Sequence, residues 1–284
     1  DRTSLHMISS AIEAGDIEVG IAGGVEDMFT IPQGGFAPDF NVKLAEQDYY
    51  ISMGEGAELL ADELNISREE QEEFSFSSHE KAVAAREAGK FDNEIVPITL
   101  EDGTIIDQDS GPRNPDKEKI KSLNPAFRAD GTVTAATSSP FSIGASAMLI
   151  TSENFANKHG LKIRAFIEGR AVAGVNWKMF GSGPVPATKK ALEKTGLSID
   201  DIDALELNEA FAAQALYCIK KANWNPDKVN LNGGAVALGH PLGISGTRII
   251  TTLLNVLEQN DKNTGLATMC VGTGQGITTI IKRG

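Results

Sequence analysis

Cysteine is scarce in this chain: there are two in 284 residues, Cys218 and Cys270, and neither lies in a C-x-x-C pair. That argues against a disulfide framework and a cysteine zinc site, and a reducing, cytoplasmic compartment is the expectation. Basic residues are in deficit, 26 Lys and Arg against 39 Asp and Glu, for a net charge of −13. A diffuse acidic surface argues against nucleic acid as a partner, although a local basic pocket could still hold a polyanionic small molecule. No apolar run approaches the ~20 residues that cross a bilayer, and no signal-peptide pattern opens the chain. An initiator methionine is also lacking. The first residues, DRTSLHMISSAIEAG, are already helical in pattern, with Leu5, Ile8 and Ile12 on one face and Gly15 as the stop. A longer parent protein, with its N-terminal part missing here, is therefore expected.

What is present is glycine, concentrated near the C-terminus. NGGAVALGHPLGISGTR, residues 232–248, puts His240 in a tight loop ahead of a helix, and MCVGTGQG, residues 269–276, puts Cys270 at a strand end followed by alternating glycines. Helix starts and open glycine backbone offer N–H groups to a negative oxygen. A histidine and a cysteine brought there could move protons beside it, which is the chemistry of acyl transfer or of carbon acids. The first segment lacks the G-x-x-x-x-G-K-[ST] phosphate-loop form. The second lacks G-x-G-x-x-G spacing and runs into the β-branched ITTII, so a dinucleotide fold fails on context. In NEAF, residues 208–211, Asn208 reads equally as a ligand-contacting group at a strand end or as the cap of the next helix.

Between these motifs the pattern alternates. VGIAGG (19–24) reads as a short buried strand, 29–52 as a long loop, and 53–64 as a helix; Ser67 and Glu70 make a capping box for a more polar helix to about Ala88. Residues 91–130 are charged and rich in Pro, Asp and Gly, with a weak hairpin at Asp102-Gly103. From 131 onward small and apolar residues take over and strands alternate with helices, which implies an α/β sheet with covered faces. AIEAGDIEVGIAGGVE near the start is faintly echoed by VLEQNDKNTGLATMCVG near the end. Cys218 reads as a core residue, His6, His79 and His159 as surface histidines, and Glu69, Glu70, Glu72 and Glu73 as a solvated helix face.

NEAFAAQ, NLNGG…ALGHPLG.SG.R, GLATMC.G.GQG, GPVPA (183–187) and PAFRADGTVTA.TSS (125–139) together resemble the thiolase family, nearest to the degradative 3-ketoacyl-CoA thiolases of fatty-acid β-oxidation. The resemblance implies a duplicated fold of two five-stranded α/β halves in α/β/α/β/α layers with an inserted loop domain. Residues 1–28 and 131–152 would be what remains of the N-terminal half, 29–130 the loop domain, and 153–284 the C-terminal half. It also implies roles. Cys270 would transfer the α-proton, His240 would activate the nucleophilic thiol and help hold a thioester oxygen, and Asn208 would orient a water in that oxyanion hole. The N–H of Gly272 would build a second hole. Ser139, Met53, Ala210 and Phe211 would line the pantetheine channel, and Arg113 would meet a CoA phosphate. No metal or redox cofactor is implied; coenzyme A is a substrate.

The family's acyl-accepting cysteine would align three residues ahead of Asp1, and neither Cys218 nor Cys270 fits its place. Gly56 stands in MGEGAE where the family usually has Thr, and Phe180 where it often has Met beside the acyl pocket. The expected activity is CoA-dependent cleavage of 3-ketoacyl-CoA by the complete protein, with the 284 residues alone inactive. Biosynthetic acetoacetyl-CoA thiolase and a non-catalytic CoA-binding scaffold are the alternatives. Expected partners are acyl-CoA and CoA, a second copy in a homodimer or homotetramer through strands 19–24 and 131–150, and a hydratase/dehydrogenase subunit.

Overall fold

In the computed structural model, residues 2–30 and 39–284 are described; positions 31–38 of the expected long loop, and Asp1, lie outside the described residues. The chain begins with α1 (Arg2–Ala14), β1 (Val19–Asp27), α2 (Val42–Ala45), α3 (Met53–Leu64), α4 (Arg68–Glu87), β2 (Ile98–Thr99), β3 (Ile105–Ile106) and α5 (Lys117–Lys121). It continues through β4 (Ile143–Thr151), α6 (Glu153–Lys158), β5 (Ala165–Gly174), α7 (Pro184–Thr195), β6 (Ala204–Leu207), α8 (Ala212–Ala222), α9 (Ala235–Leu238), α10 (Ser245–Gln259), β7 (Thr264–Val271) and β8 (Gln275–Arg283).

Local signals account for most boundaries. Ser67 and Glu70 form the expected reciprocal capping box at α4, and Ser52 and Glu55 form another at α3. Pro184 opens α7, and Gly196, at φ 71°, closes it in the left-handed conformation that a glycine adopts without strain. The hairpin at Asp102-Gly103 is present as β2 paired with β3.

The main sheet runs β5-β8-β7-β6, antiparallel except for the parallel β6–β7 pair, and β1 pairs with β4 in a separate antiparallel ribbon. Beyond β6 a single parallel bridge joins Leu205 to Val229, and Asn230 turns to φ 48° immediately afterwards. Helices α1 and α10 lie between ribbon and sheet, where Leu5, Ile150, Ile249, Leu253, Leu257, Met269 and Ile281 form one core. The opposite face of the sheet packs on α3, α7 and α8 through Leu60, Leu207, Tyr217, Cys218, Leu266 and Ile280. With a side-chain period of two, Leu266 and Cys270 face the α3 side of β7, and Ala267 and Met269 face α10. The two segments of the internal echo are α1–β1 and α10–β7, each a helix feeding a strand.

Three expectations are corrected. The strand at 19–24 is not buried: Ile21 is 70% and Val25 75% exposed, because only the face of the ribbon toward α1 and α10 is covered. Glu72 is not on a solvated face; it is buried and takes an ion pair from Arg68 at 2.7 Å. His79 is buried rather than superficial, and His6 is part-buried against Thr279 at 2.9 Å, since α4 and α1 each turn one face to the body. Burial drives the pKa of His79 down to about 4 and that of His6 to about 3, with Arg113 and Arg2 respectively adding to the effect. His159 is exposed, as expected.

Candidate active site

Strands β6 and β7 are parallel, so both end at the same sheet edge, where α/β sheets place ligand-contacting groups. Asn208 follows the end of β6, its backbone N–H donating to Thr268 O at 3.0 Å, and Cys270 lies two residues beyond Thr268 on β7. The turn Gly272-Thr273-Gly274 then reverses the chain into β8. Thr273 sits at φ 67° and Gly274 at φ 93°, and a Cβ at Gly274 would press into the Val175 carbonyl. Gly272 faces open space, which leaves its backbone accessible.

His240 arrives from the other side, on the loop between α9 and α10. Its Nδ1 lies 2.6 Å from Ser245 Oγ, and Ser245 spends its own proton on Pro241 O at 3.0 Å. Ser245 must then accept, so Nδ1 carries the hydrogen and Nε2 keeps its lone pair. That lone pair faces Asn208 Nδ2 at 3.3 Å. Burial and the charge of Arg248 lower the His240 pKa to about 4, so the ring is neutral at physiological pH and able to take a proton. Asn208 Oδ1 is buried with no partner among the described residues, in a segment otherwise well bonded.

Cys270 has the opposite disposition. Burial raises its thiol to about 12, which keeps it protonated and able to give a proton away. Cys218 is fully buried on α8, its thiol donating to Gly181 O at 3.2 Å and its pKa raised by burial. It has the core position read from the sequence.

The remaining candidates separate into two places. Ser139 N–H donates to Ala210 O at 3.0 Å and Ser138 bridges to Phe211, so Ser139, Ala210 and Phe211 share one wall. Phe127, which carries no role in the sequence reading beyond its place in a motif, joins them: its ring meets Phe211 edge-on at 5.7 Å and occupies the space over Gly54 that a side chain would fill. Met53, 41% exposed, begins the same helix. Arg113 is elsewhere, exposed on the segment beside His79 of α4 and bonded to Gly111 O at 3.3 Å. Ser245 was likewise missed, since a hydroxyl five residues after a histidine has no local signature; the only available clue was its place in the glycine-rich loop. A cavity of about 610 Å³ between α1, β4, β5 and α10 contains none of the candidate residues. Among the described residues no group of His, Cys, Asp or Glu could hold a metal ion, and no helix is long and apolar enough to cross a membrane.

Residues 2–154 match the family described as thiolase, N-terminal domain, and residues 161–283 match thiolase, C-terminal domain. The chain belongs to the thiolase family, and its fold is the thiolase α/β fold. It is 50% identical to the 3-ketoacyl-CoA thiolase of Vibrio parahaemolyticus and 50% identical to that of Serratia proteamaculans, each match covering 99% of this chain and 74% and 75% of the relative. Among solved structures, the dimeric peroxisomal thiolase of Saccharomyces cerevisiae matches with a TM-score of 0.93 at 39% identity, covering 99% of this chain and 73% of that one. Human mitochondrial 3-ketoacyl-CoA thiolase in complex with CoA matches with a TM-score of 0.90 at 35% identity, covering 99% and 75%.

Proposed function

We propose that the protein carrying this chain cleaves 3-ketoacyl-CoA with coenzyme A, releasing acetyl-CoA and a shortened acyl-CoA. One observation carries the proposal: the parallel ends of β6 and β7 and the α9–α10 loop bring Asn208, Cys270 and His240 to one sheet edge, with His240 Nε2 facing Asn208 Nδ2 at 3.3 Å. A neutral imidazole and a protonated thiol are the forms from which a reaction that removes one proton and supplies another must start.

In this reading His240 Nε2 takes the proton of an attacking thiol, which adds to the 3-keto carbon. The Gly272 N–H faces the oxyanion of the adduct, while the resulting Nε2–H and a water held by Asn208 face the thioester oxygen. Collapse of the adduct breaks the bond between C2 and C3. The electron pair goes to C2, stabilised as an enolate whose oxygen lies in the hole of His240 and the Asn208-held water, and Cys270 Sγ gives that carbon its proton. In the second half the Cys270 thiolate takes the proton of CoA, whose sulfur attacks the acyl carbon and displaces the enzyme thiol, which regains its proton from His240 Nε2. The attacking thiol is neither Cys218, which is sealed in the core, nor Cys270, which supplies the acid. The resemblance implies that it would align three residues ahead of Asp1.

The test is a series of kcat/KM values over acyl length on the natural full-length protein. Activity that extends to medium and long chains supports the degradative reading. Activity confined to the four-carbon substrate overturns it in favour of acetoacetyl-CoA thiolase, and no turnover with CoA bound leaves a scaffold.

A further inference from the structure

Directly after Asn208 lies Glu209, 1% exposed and without a place in the steps above. Its carboxylate accepts from Ser78 Oγ at 2.7 Å, Asn230 Nδ2 at 2.7 Å and Val236 N at 3.1 Å. Ser78 belongs to α4, Asn230 to the turn after the Val229 bridge, and Val236 to α9, which leads in four residues to His240. The fit is close on every side. A Cβ at Gly234 would collide with the Glu209 carboxyl, and Gly234 N–H donates to Ser78 Oγ at 3.0 Å. At Gly233, with φ 81°, a Cβ would collide with Ser78 O and Ala82. Asn230 in turn grips β6, with Oδ1 accepting from Leu207 N and Nδ2 donating to Leu207 O, both at 2.8 Å.

We infer that Glu209 is a positioning residue: it clamps α4, the end of β6 and the start of α9 to one another, and so sets the approach of His240 Nε2 to Asn208 Nδ2. The two catalytic candidates sit on separate segments, and their 3.3 Å contact is too weak to align those segments unaided. Three donors converging on one buried carboxylate make a stiff junction, because releasing any of them would leave a buried polar group unpaired. The clamp also makes α4 part of the support of the site through Ser78. An alternative in which Glu209 serves only to anchor α4 predicts loss of stability with the His240 geometry intact.

The inference rests on the proposed reaction for its kinetic arm but not for its spectroscopic one. In the natural full-length protein carrying Glu209→Gln, which keeps the shape and removes one acceptor, kcat with a 3-ketoacyl-CoA is expected to fall about 100-fold with the KM for CoA held within about twofold, as for a misplaced rather than missing group. By ¹⁵N NMR at neutral pH, the His240 Nε2 and Asn208 Nδ2 resonances should shift in Glu209→Gln relative to the unaltered protein as their contact is lost, while the Nδ1–H tautomer held by Ser245 stays. Where Glu209→Gln does not fold, Ser78→Ala removes one donor and should move both readouts the same way by a smaller amount. An unchanged His240 spectrum overturns the inference whatever the turnover, as does a kcat retained within about twofold alongside a lowered Tm. An unaltered protein with no thiolysis, but with Nε2 and Nδ2 resonances that shift in Glu209→Gln, refutes the proposed reaction and leaves the clamp standing.

Discussion

Ser245 Oγ lies 2.6 Å from His240 Nδ1 and passes its own hydrogen to Pro241 O, so a serine on the first turn of α10 decides which nitrogen of the histidine faces the site. Replacing it with alanine leaves Nδ1–H without its acceptor and frees the other tautomer. Ser245→Ala is expected to lower kcat by about 10- to 100-fold, part of what a positioned general base contributes. Ser245→Thr, which keeps the hydroxyl, should recover most of that loss. Steady-state kinetics of the two variants side by side provide the check; equal losses would show that the hydroxyl is not the cause.

Gly56 and Phe180 form a second coupled pair. The Phe180 ring, 2% exposed, fills the notch that Gly56 leaves on α3, and a Cβ there would fall inside the ring's envelope. Gly56→Ala should therefore destabilise by about 1–3 kcal/mol through overpacking. In a Phe180→Ala background the same change should stabilise by about 0.5–1 kcal/mol, since alanine is the better helix former. Urea unfolding of the four proteins measures this reversal of sign, and simple additivity would refute the pairing.

The two cysteines should respond in opposite ways. Cys270→Ala removes the acid at the carbon centre and should cut thiolysis by about 10²- to 10⁴-fold. Cys218→Ala removes a packed core thiol and should cost about 1 kcal/mol of stability with turnover unchanged within about twofold. Rates and melting curves of both variants decide the matter.

Burial of Glu206 on β6 raises its carboxyl to about 8, against the partial relief offered by Arg248. The folded state therefore keeps a proton that the unfolded chain has released. The stability this contributes is complete below about 4.5, the ordinary carboxylate value, and is lost as pH rises through about 8. Glu206→Gln, neutral at every pH, should be more stable than the parent at alkaline pH and lose that advantage toward acid. His79 works in the other direction: with its pKa depressed to about 4, stability present above the unfolded value of about 6.5 is lost as pH falls through 4. His79→Gln should flatten the acid side of the profile. Denaturation midpoints across pH for the two variants would expose either sign error.

Much of the fold was legible because its signals are local. The capping box at Ser67 and Glu70, Pro184 and Gly196 bracketing α7, and the β-branched run after the 272–274 turn each act within a few residues. Cys270, His240 and Asn208 could be singled out because glycines and strand ends mark them in the sequence. The buried Glu72 was not legible, since whether a helix face is solvated depends on what α5 and its neighbours place against it, and the exposed faces of Ile21 and Val25 depend on what covers the ribbon.

The sequence by itself determined the elements, their alternation and the residue types at the site, because helix and strand periods, caps and turn conformations are properties of short stretches of chain. Only the tertiary structure decided which of those residues act together. Ser78 and Glu209, 131 positions apart, meet in one hydrogen bond, and Phe180 needs the absence of a side chain at Gly56. Contacts of that kind have no period in the sequence; they exist only once the hydrophobic layers have packed and brought the segments to a common depth.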